Sequence, residues 1–220
     1  PITTARITEQ FLALLAGLGI TQPVVVVGHS YGGLIAALHA AQAPERIRAI
    51  VQVDPTPESR YAGDTGMDKA EASSRFTKLL IWLGFTGLVA AMWKGLPQHA
   101  LHRLTKSRAW MIHIINRSVP EMRLFRDIQR LVLESDAGRR CLRLVMSGIR
   151  PEREGLFRLI FSQDKLEATF RTLHDLHRQQ AQHNGASRWV SIPYDHYTML
   201  AHQDGADLIA RHSMDFARTV

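Results

Sequence analysis

The chain has 220 residues, 45% apolar and 21% charged, with 27 Lys and Arg against 20 Asp and Glu for a net charge of +7. That balance excludes a disordered, collagen-like or coiled-coil chain and suits one domain, or one domain carrying a large insertion. Cys141 is the single cysteine, so an internal disulfide framework is excluded and the redox compartment stays open.

Neither a basic n-region nor an apolar h-region follows Pro1, so no signal peptide is visible. The compartment is open, with the cytoplasm as the default. The longest uncharged stretch in the middle, Leu79 to Trp93, is broken by Gly84, Thr86 and Gly87. It falls short of the roughly 18–20 residues that span a bilayer, and no transmembrane helix is expected. Charge is uneven. Residues 57–155 hold 17 basic and 10 acidic side chains, whereas the remainder is balanced at 10 and 10. A solvated, Arg-rich helical surface explains this more simply than nucleic-acid binding, because no aromatic-interleaved motif accompanies the charge. Peripheral contact with anionic lipid is the alternative use of such a surface.

Ile7, Phe11, Leu14, Leu15 and Leu18 recur at helical spacing, so Thr4–Leu18 reads as an amphipathic helix stopped by Gly19 and Pro23. Val24 to Val27 form a β-branched run without polar alternation, the pattern of a parallel strand buried on both faces. After Gly28-His29-Ser30-Tyr31-Gly32-Gly33, residues Leu34–Gln42 read as a second helix ending before Pro44, and Ala49–Val53 as a second strand closed by Asp54-Pro55. This alternation predicts an α/β fold with a parallel sheet and flanking helices. Residues 57–153 show helical periodicity, including Gly138–Ser147, and no clear strand, so they read as a helical insertion. The expected core is then 1–56 with 154–220. It has a strand at Leu156–Phe161, a helix at Leu166–Gln182, a last strand at Trp189–Ile192 and a final helix from about Ala206 to Arg218.

Gly28-His29-Ser30-Tyr31-Gly32 is a G-x-S-x-G pentapeptide set between a strand and a helix, the setting in which such a turn presents a nucleophilic serine. Gly28 and Gly32 are expected to let strand and helix approach where a Cβ would collide. A serine hydroxyl needs a base. Of eleven histidines, His196 lies just past the last predicted strand, in Ile192-Pro193-Tyr194-Asp195-His196-Tyr197. His29 reads as packing inside the elbow. His174 and His177 flank Asp175 on a helix without a third well-placed ligand, which reads as a solvated face, and no metal site is expected.

With these features in this order, the whole chain resembles the α/β-hydrolase family. The resemblance implies that His196 is the base. Two carboxylates obey the order Ser–Asp–His. Asp164 follows the Leu156–Phe161 strand, and Asp54 ends the strand after the elbow helix; both stay open, with Glu167 behind them. The family also carries strands and a helix before the point where this sequence starts, so an N-terminally truncated fragment is expected. One oxyanion donor, the N–H of Tyr31, is present and the second is absent; losing one such donor costs on the order of 10²–10³ in rate.

Serine attacks acyl carbon well and alkyl carbon poorly, so the implied reaction is acyl transfer: hydrolysis of an ester, thioester or lactone through an acyl-enzyme on Ser30, with no cofactor. Residues 57–153 correspond to the family's cap, and Trp82, Phe85 and Trp93 within it could line a pocket for a small apolar acyl substrate or form the cap's own core. The alternatives are a non-catalytic hydrolase-like binding protein, a cofactor-free haloperoxidase on the same triad, and a peripheral membrane module using the basic cap. Substrate identity and oligomeric state are not legible.

Overall fold

The computed structural model describes residues 2–58, 124–149, 163–182, 184–196 and 198–220. The chain divides into two compact units, Pro1–Ala62 with Asp127–Val220, and Gly63–Arg126. The first unit holds a four-stranded parallel sheet in the order β1 (Val24–His29), β2 (Ile47–Val53), β3 (Leu142–Gly148) and β4 (Arg188–Ile192). Among the described residues no helix is long and apolar enough to cross a membrane.

Helix α1 (Thr4–Gly17) begins where the Thr3 hydroxyl accepts the Arg6 N–H at 3.3 Å, an ordinary N-cap. It ends at Gly19, whose φ of 70° supplies the left-handed residue common after helices. Helix α2 (Tyr31–Gln42) is apolar nearly all round and buried from Gly33 to Ala40 except at Ile35. A helix of that kind belongs in the interior, and it packs on β1 and β2.

The strands differ in burial because they differ in position. β2, with neighbours on both sides, is buried everywhere except Arg48. β1 pairs only with β2 among the described residues, so its valines are half-buried and Val27 is 54% exposed. Against the expectation of a valine strand buried on both faces, these valines are half-buried or exposed among the described residues, although β-branching suits the strand.

A second correction concerns residues 142–148, which were expected inside a helical insertion and instead form β3, pairing from Ala49–Leu142 to Val53–Met146. The core thus includes residues that the expected boundary at 153 assigned to the cap. Arg143 hid the strand: it is fully buried in an ion pair with Glu58 (2.7 Å), where a lone charge is normally taken to face water. Residues 124–134 form a helix, α3, followed by α4 (Asp136–Arg140). The expected strand at 156–161 lies outside the described residues.

Period-2 alternation sorts the sheet's two faces. Ala49, Val51, Val53, Leu144, Met146 and Ile192 form one apolar core with Met199 of α6 (Thr198–Ala201) and with Ile209 and Phe216 of α7 (Gln203–Thr219). The opposite face carries Gln52, Arg143 and Ser147 toward α2 and the long helix α5 (Gln163–Ala181). That second face mixes these buried polar side chains with the apolar Ile50 and Val145.

Candidate active site

Ser30 sits between β1 and α2 with φ 54° and ψ −122°, a region that L-residues rarely enter. The turn is held on both sides: its N–H donates to Val53 O (3.0 Å), and its carbonyl accepts from Gly33 N and Thr56 N (both 3.0 Å). Although serine is a favoured N-cap, this side chain makes no cap bond to α2. The close crossing requires Gly28, where a Cβ would lie 2.2 Å from the Gly32 carbonyl oxygen.

Gly32 itself does not obey the sequence expectation, since a Cβ there meets nothing within 4 Å. The second crowded position is Gly33, where a Cβ would approach Pro55 Cβ to 2.8 Å. The pentapeptide rule points two residues past the serine, but the neighbouring turn after β2 crowds the residue beyond that.

Asp54 ends β2 in a second strained turn, with φ 40°. Its N–H donates to Met146 O (2.7 Å), and its Oδ1 accepts from the Gly148 N–H at the end of β3 (3.1 Å). Oδ2 lies 2.6 Å from His196 Nδ1. Because a carboxylate only accepts, His196 Nδ1 carries the proton and donates. Burial alone would raise the Asp54 carboxyl; the His196 hydrogen bond, the nearby His177 and the Gly148 N–H outweigh it, leaving the pKa below the ordinary carboxylate value. The Asp54 carboxylate thus stays ionised beside the imidazole.

His196 comes from the loop leaving β4, and His29 of the elbow reaches it. His29 Nε2–H donates to His196 O at 3.1 Å, and the two rings lie 4.6 Å apart. Burial and the adjacent His196 hold the His29 pKa below its ordinary value, which favours the neutral ring this bond needs.

Ser30, Tyr31, Asp54 and His196 thus gather at the carboxyl ends of β1, β2 and β4. Of the two leading carboxylates, Asp54 touches the imidazole. Asp164 falls in the first turn of α5, and its side chain lies outside the described residues, as do Trp82, Phe85 and Trp93. Tyr31 is the first residue of α2, beginning one step past the serine. His177 departs from the solvated face expected of it. It is buried, with its Nε2 2.6 Å from Pro55 O and its Nδ1 2.9 Å from Ser147 Oγ. Among the described residues no cluster of three or more His, Cys, Asp or Glu could hold a metal ion.

The strained serine thus lies between a strand and a helix, and the Asp54–His196 pair lies at the ends of β2 and β4 of the same sheet. The alpha/beta hydrolase fold family matches residues 2–111, and the chain belongs to that family. Among solved structures it is similar to a carboxylesterase structure from the thaumarchaeon Nitrososphaera gargenis, at 14% identity and TM-score 0.54, covering 100% of this chain and 74% of that one. A probable hydrolytic enzyme of Pseudomonas aeruginosa aligns at 15% identity and TM-score 0.51, covering 96% and 69%. A hydrolase from the same organism aligns at 18% and 0.50, covering 97% and 72%. At these identities the likeness is one of fold. A search of curated proteins finds no match.

Proposed function

We propose that this chain is a serine-dependent hydrolase of apolar acyl compounds (a carboxylic ester, thioester or lactone) working through an acyl-enzyme on Ser30. The observation that carries the reading is the 2.6 Å contact between His196 Nδ1 and Asp54 Oδ2, at the sheet edge that also bears a serine bent to φ 54°. With its Nδ1 proton held by Asp54, His196 keeps the Nε2 lone pair for the serine.

In the cycle, His196 Nε2 takes the Ser30 Oγ proton as Oγ bonds to the substrate carbonyl carbon, and the carbonyl π pair moves onto oxygen. The reading assigns the Tyr31 N–H to that oxyanion, with the N-terminal field of α2 behind it. Collapse expels the leaving group, which takes the proton from the imidazolium that Asp54 stabilises. Water then repeats the sequence, losing a proton to His196 and releasing the carboxylic acid and Ser30. The reaction balances with protein groups and water alone.

The test is labelling by a fluorophosphonate probe beside hydrolysis of p-nitrophenyl butyrate, with Ser30→Ala as the control. The reading expects labelling and turnover in the wild type and loss of both in the variant. Failure of the folded wild type to label, or undiminished hydrolysis by Ser30→Ala, refutes it.

A further inference from the structure

We propose that His177 is a positioning residue for the acid: it fastens the Asp54–Pro55 turn to α5 and keeps the Asp54 carboxylate aimed at His196. The inference rests on the hydrolase reading above and adds a residue to it.

Hydrogen-bond chemistry fixes how this side chain is used. The Pro55 carbonyl can only accept, so the 2.6 Å contact requires a proton on His177 Nε2. In the neutral ring, Nδ1 is then an acceptor, and it takes the Ser147 hydroxyl proton at 2.9 Å. Ser147 Oγ in turn accepts from Trp189 Nε1–H at 3.0 Å. The directed chain runs from Trp189 on β4, through Ser147 on β3, to His177 on α5, and ends on the residue after Asp54. Every described polar atom in it has a partner, and Ser147 and His177 are buried. Such networks fix geometry because each broken link leaves an unsatisfied buried group.

The anchored turn is the strained one. Asp54 holds φ 40°, and a positive φ at a non-glycine residue persists only where the surroundings enforce it. From within the chain, Asp54 N–H to Met146 O enforces it; from outside, His177 grips the next carbonyl. The same ring approaches the carboxylate itself, with Nδ1 3.8 Å from Oδ1. As a neutral acceptor there, His177 makes no bid for the carboxylate and leaves Oδ2 to His196. Protonated, it would present a competing cation and force the Ser147 hydroxyl to turn. The charged and titratable groups acting on it are Asp54 from the β2 turn, His174 from its own helix and His196 from the β4 loop. Burial outweighs the attraction of Asp54 and holds the ring below the ordinary histidine pKa.

Two substitutions separate the roles. In His177→Gln the amide nitrogen superposes on Nε2 and keeps the bond to Pro55 O. In His177→Asn the shorter amide reaches only the Nδ1 position and loses it. With p-nitrophenyl butyrate as substrate, Asn should lower kcat about 10- to 100-fold with KM nearly unchanged, the scale of a small misalignment in a catalytic group. Gln should stay within about threefold of wild type, by the same alignment argument. In an Asp54→Asn background the further loss from His177→Asn should vanish, because a positioning residue has nothing left to position. Independently of turnover, the downfield proton resonance of the His196 Nδ1–H bond to Asp54 should persist in Gln and disappear in Asn.

Equal kcat in Asn and wild type, an equal loss with and without Asp54, or an unchanged resonance in Asn each overturns the inference. The hydrolase reading would survive these results, since it falls only if the folded wild type fails to label or Ser30→Ala hydrolyses undiminished.

Discussion

Alanine substitutions at the three elbow glycines should rank in an order that the motif alone does not give. At Gly33 a new Cβ would stand 2.8 Å from Pro55 Cβ and 3.2 Å from Gly28 O. Relaxed carbon contacts lie at about 3.5–4.0 Å, so Pro55 or the start of α2 must yield by roughly 0.7–1.2 Å. Overpacking of that size costs about 1–3 kcal/mol. Because Pro55 follows Asp54, whose Oδ2 is 2.6 Å from His196, the shift also misaligns the acid and lowers kcat. Gly32→Ala meets nothing within 4 Å and lies in a helix. There, replacing glycine should be neutral or stabilise by up to about 1 kcal/mol. Gly28→Ala, driven to 2.2 Å from a backbone oxygen, should be the worst of the three. Urea denaturation with constant m-values measures the order, and ester hydrolysis reads the functional effect of Gly33→Ala. If Gly32→Ala proved more destabilising than Gly33→Ala, the crowding argument would be wrong.

Asp54→Asn should keep the fold and cut kcat by about 10⁴, as loss of the tautomer-fixing acid does in other triads, whereas Asp164→Asn should leave hydrolysis near wild type. Ser30→Gly should abolish labelling yet raise stability by about 1 kcal/mol in urea melts, since glycine relieves the φ of 54°. Arg143→Met, which strands Glu58 in the interior, should cost about 3–5 kcal/mol, with the paired Arg143→Met, Glu58→Leu variant recovering most of it. His39, buried against Phe11 and bonded to Thr8, has its pKa lowered to about 4, so the unfolded chain binds its proton first. Stability contributed above pH 6.5 is therefore lost as pH falls toward 4, by about 2 kcal/mol after solvent screening, and His39→Leu should flatten that part of the pH–stability curve.

What could be read from the residues is what depends on local pattern. The valine run, the glycine-flanked serine and the apolar helix after it are contiguous, and their combination carried the strand, the strained turn and the helix. His196 could be singled out because it follows a strand near the chain's end. The carboxylate it meets could not, because Asp54 and His196 are 142 positions apart and only the parallel sheet brings them together. Arg143 concealed β3, since a buried charge is identifiable only once its partner Glu58 is known. α5 misled for the opposite reason. Its inward side includes His177 and Gln180, which meet Ser147 and Gln52 of the sheet's polar face, so hydropathy assigned to water what the fold buries. Gly33 was passed over because the motif has no term for a neighbouring strand's exit turn.

The two positive-φ residues of the site occupy corresponding places at the ends of adjacent strands and share their bonds. Ser30 N–H goes to Val53 O, Thr56 N–H returns to Ser30 O, and Asp54 N–H passes the connection on to Met146 of β3. Each strained residue costs about 1–3 kcal/mol, comparable to one or two net hydrogen bonds. Neither conformation is therefore secure alone: two of these bonds tie the Ser30 and Asp54 turns to each other, and the third ties the Asp54 turn to β3. Register between serine and carboxylate is thus set by backbone, before any side chain is chosen. His196 enters from a different strand end and needs its own tie, which His29 provides from the residue beside the nucleophile, through its bond to the His196 carbonyl. His29 should then matter through the loop it holds rather than through proton transfer. A His29→Gln substitution, which keeps an Nε2 donor, should preserve turnover far better than His29→Ala.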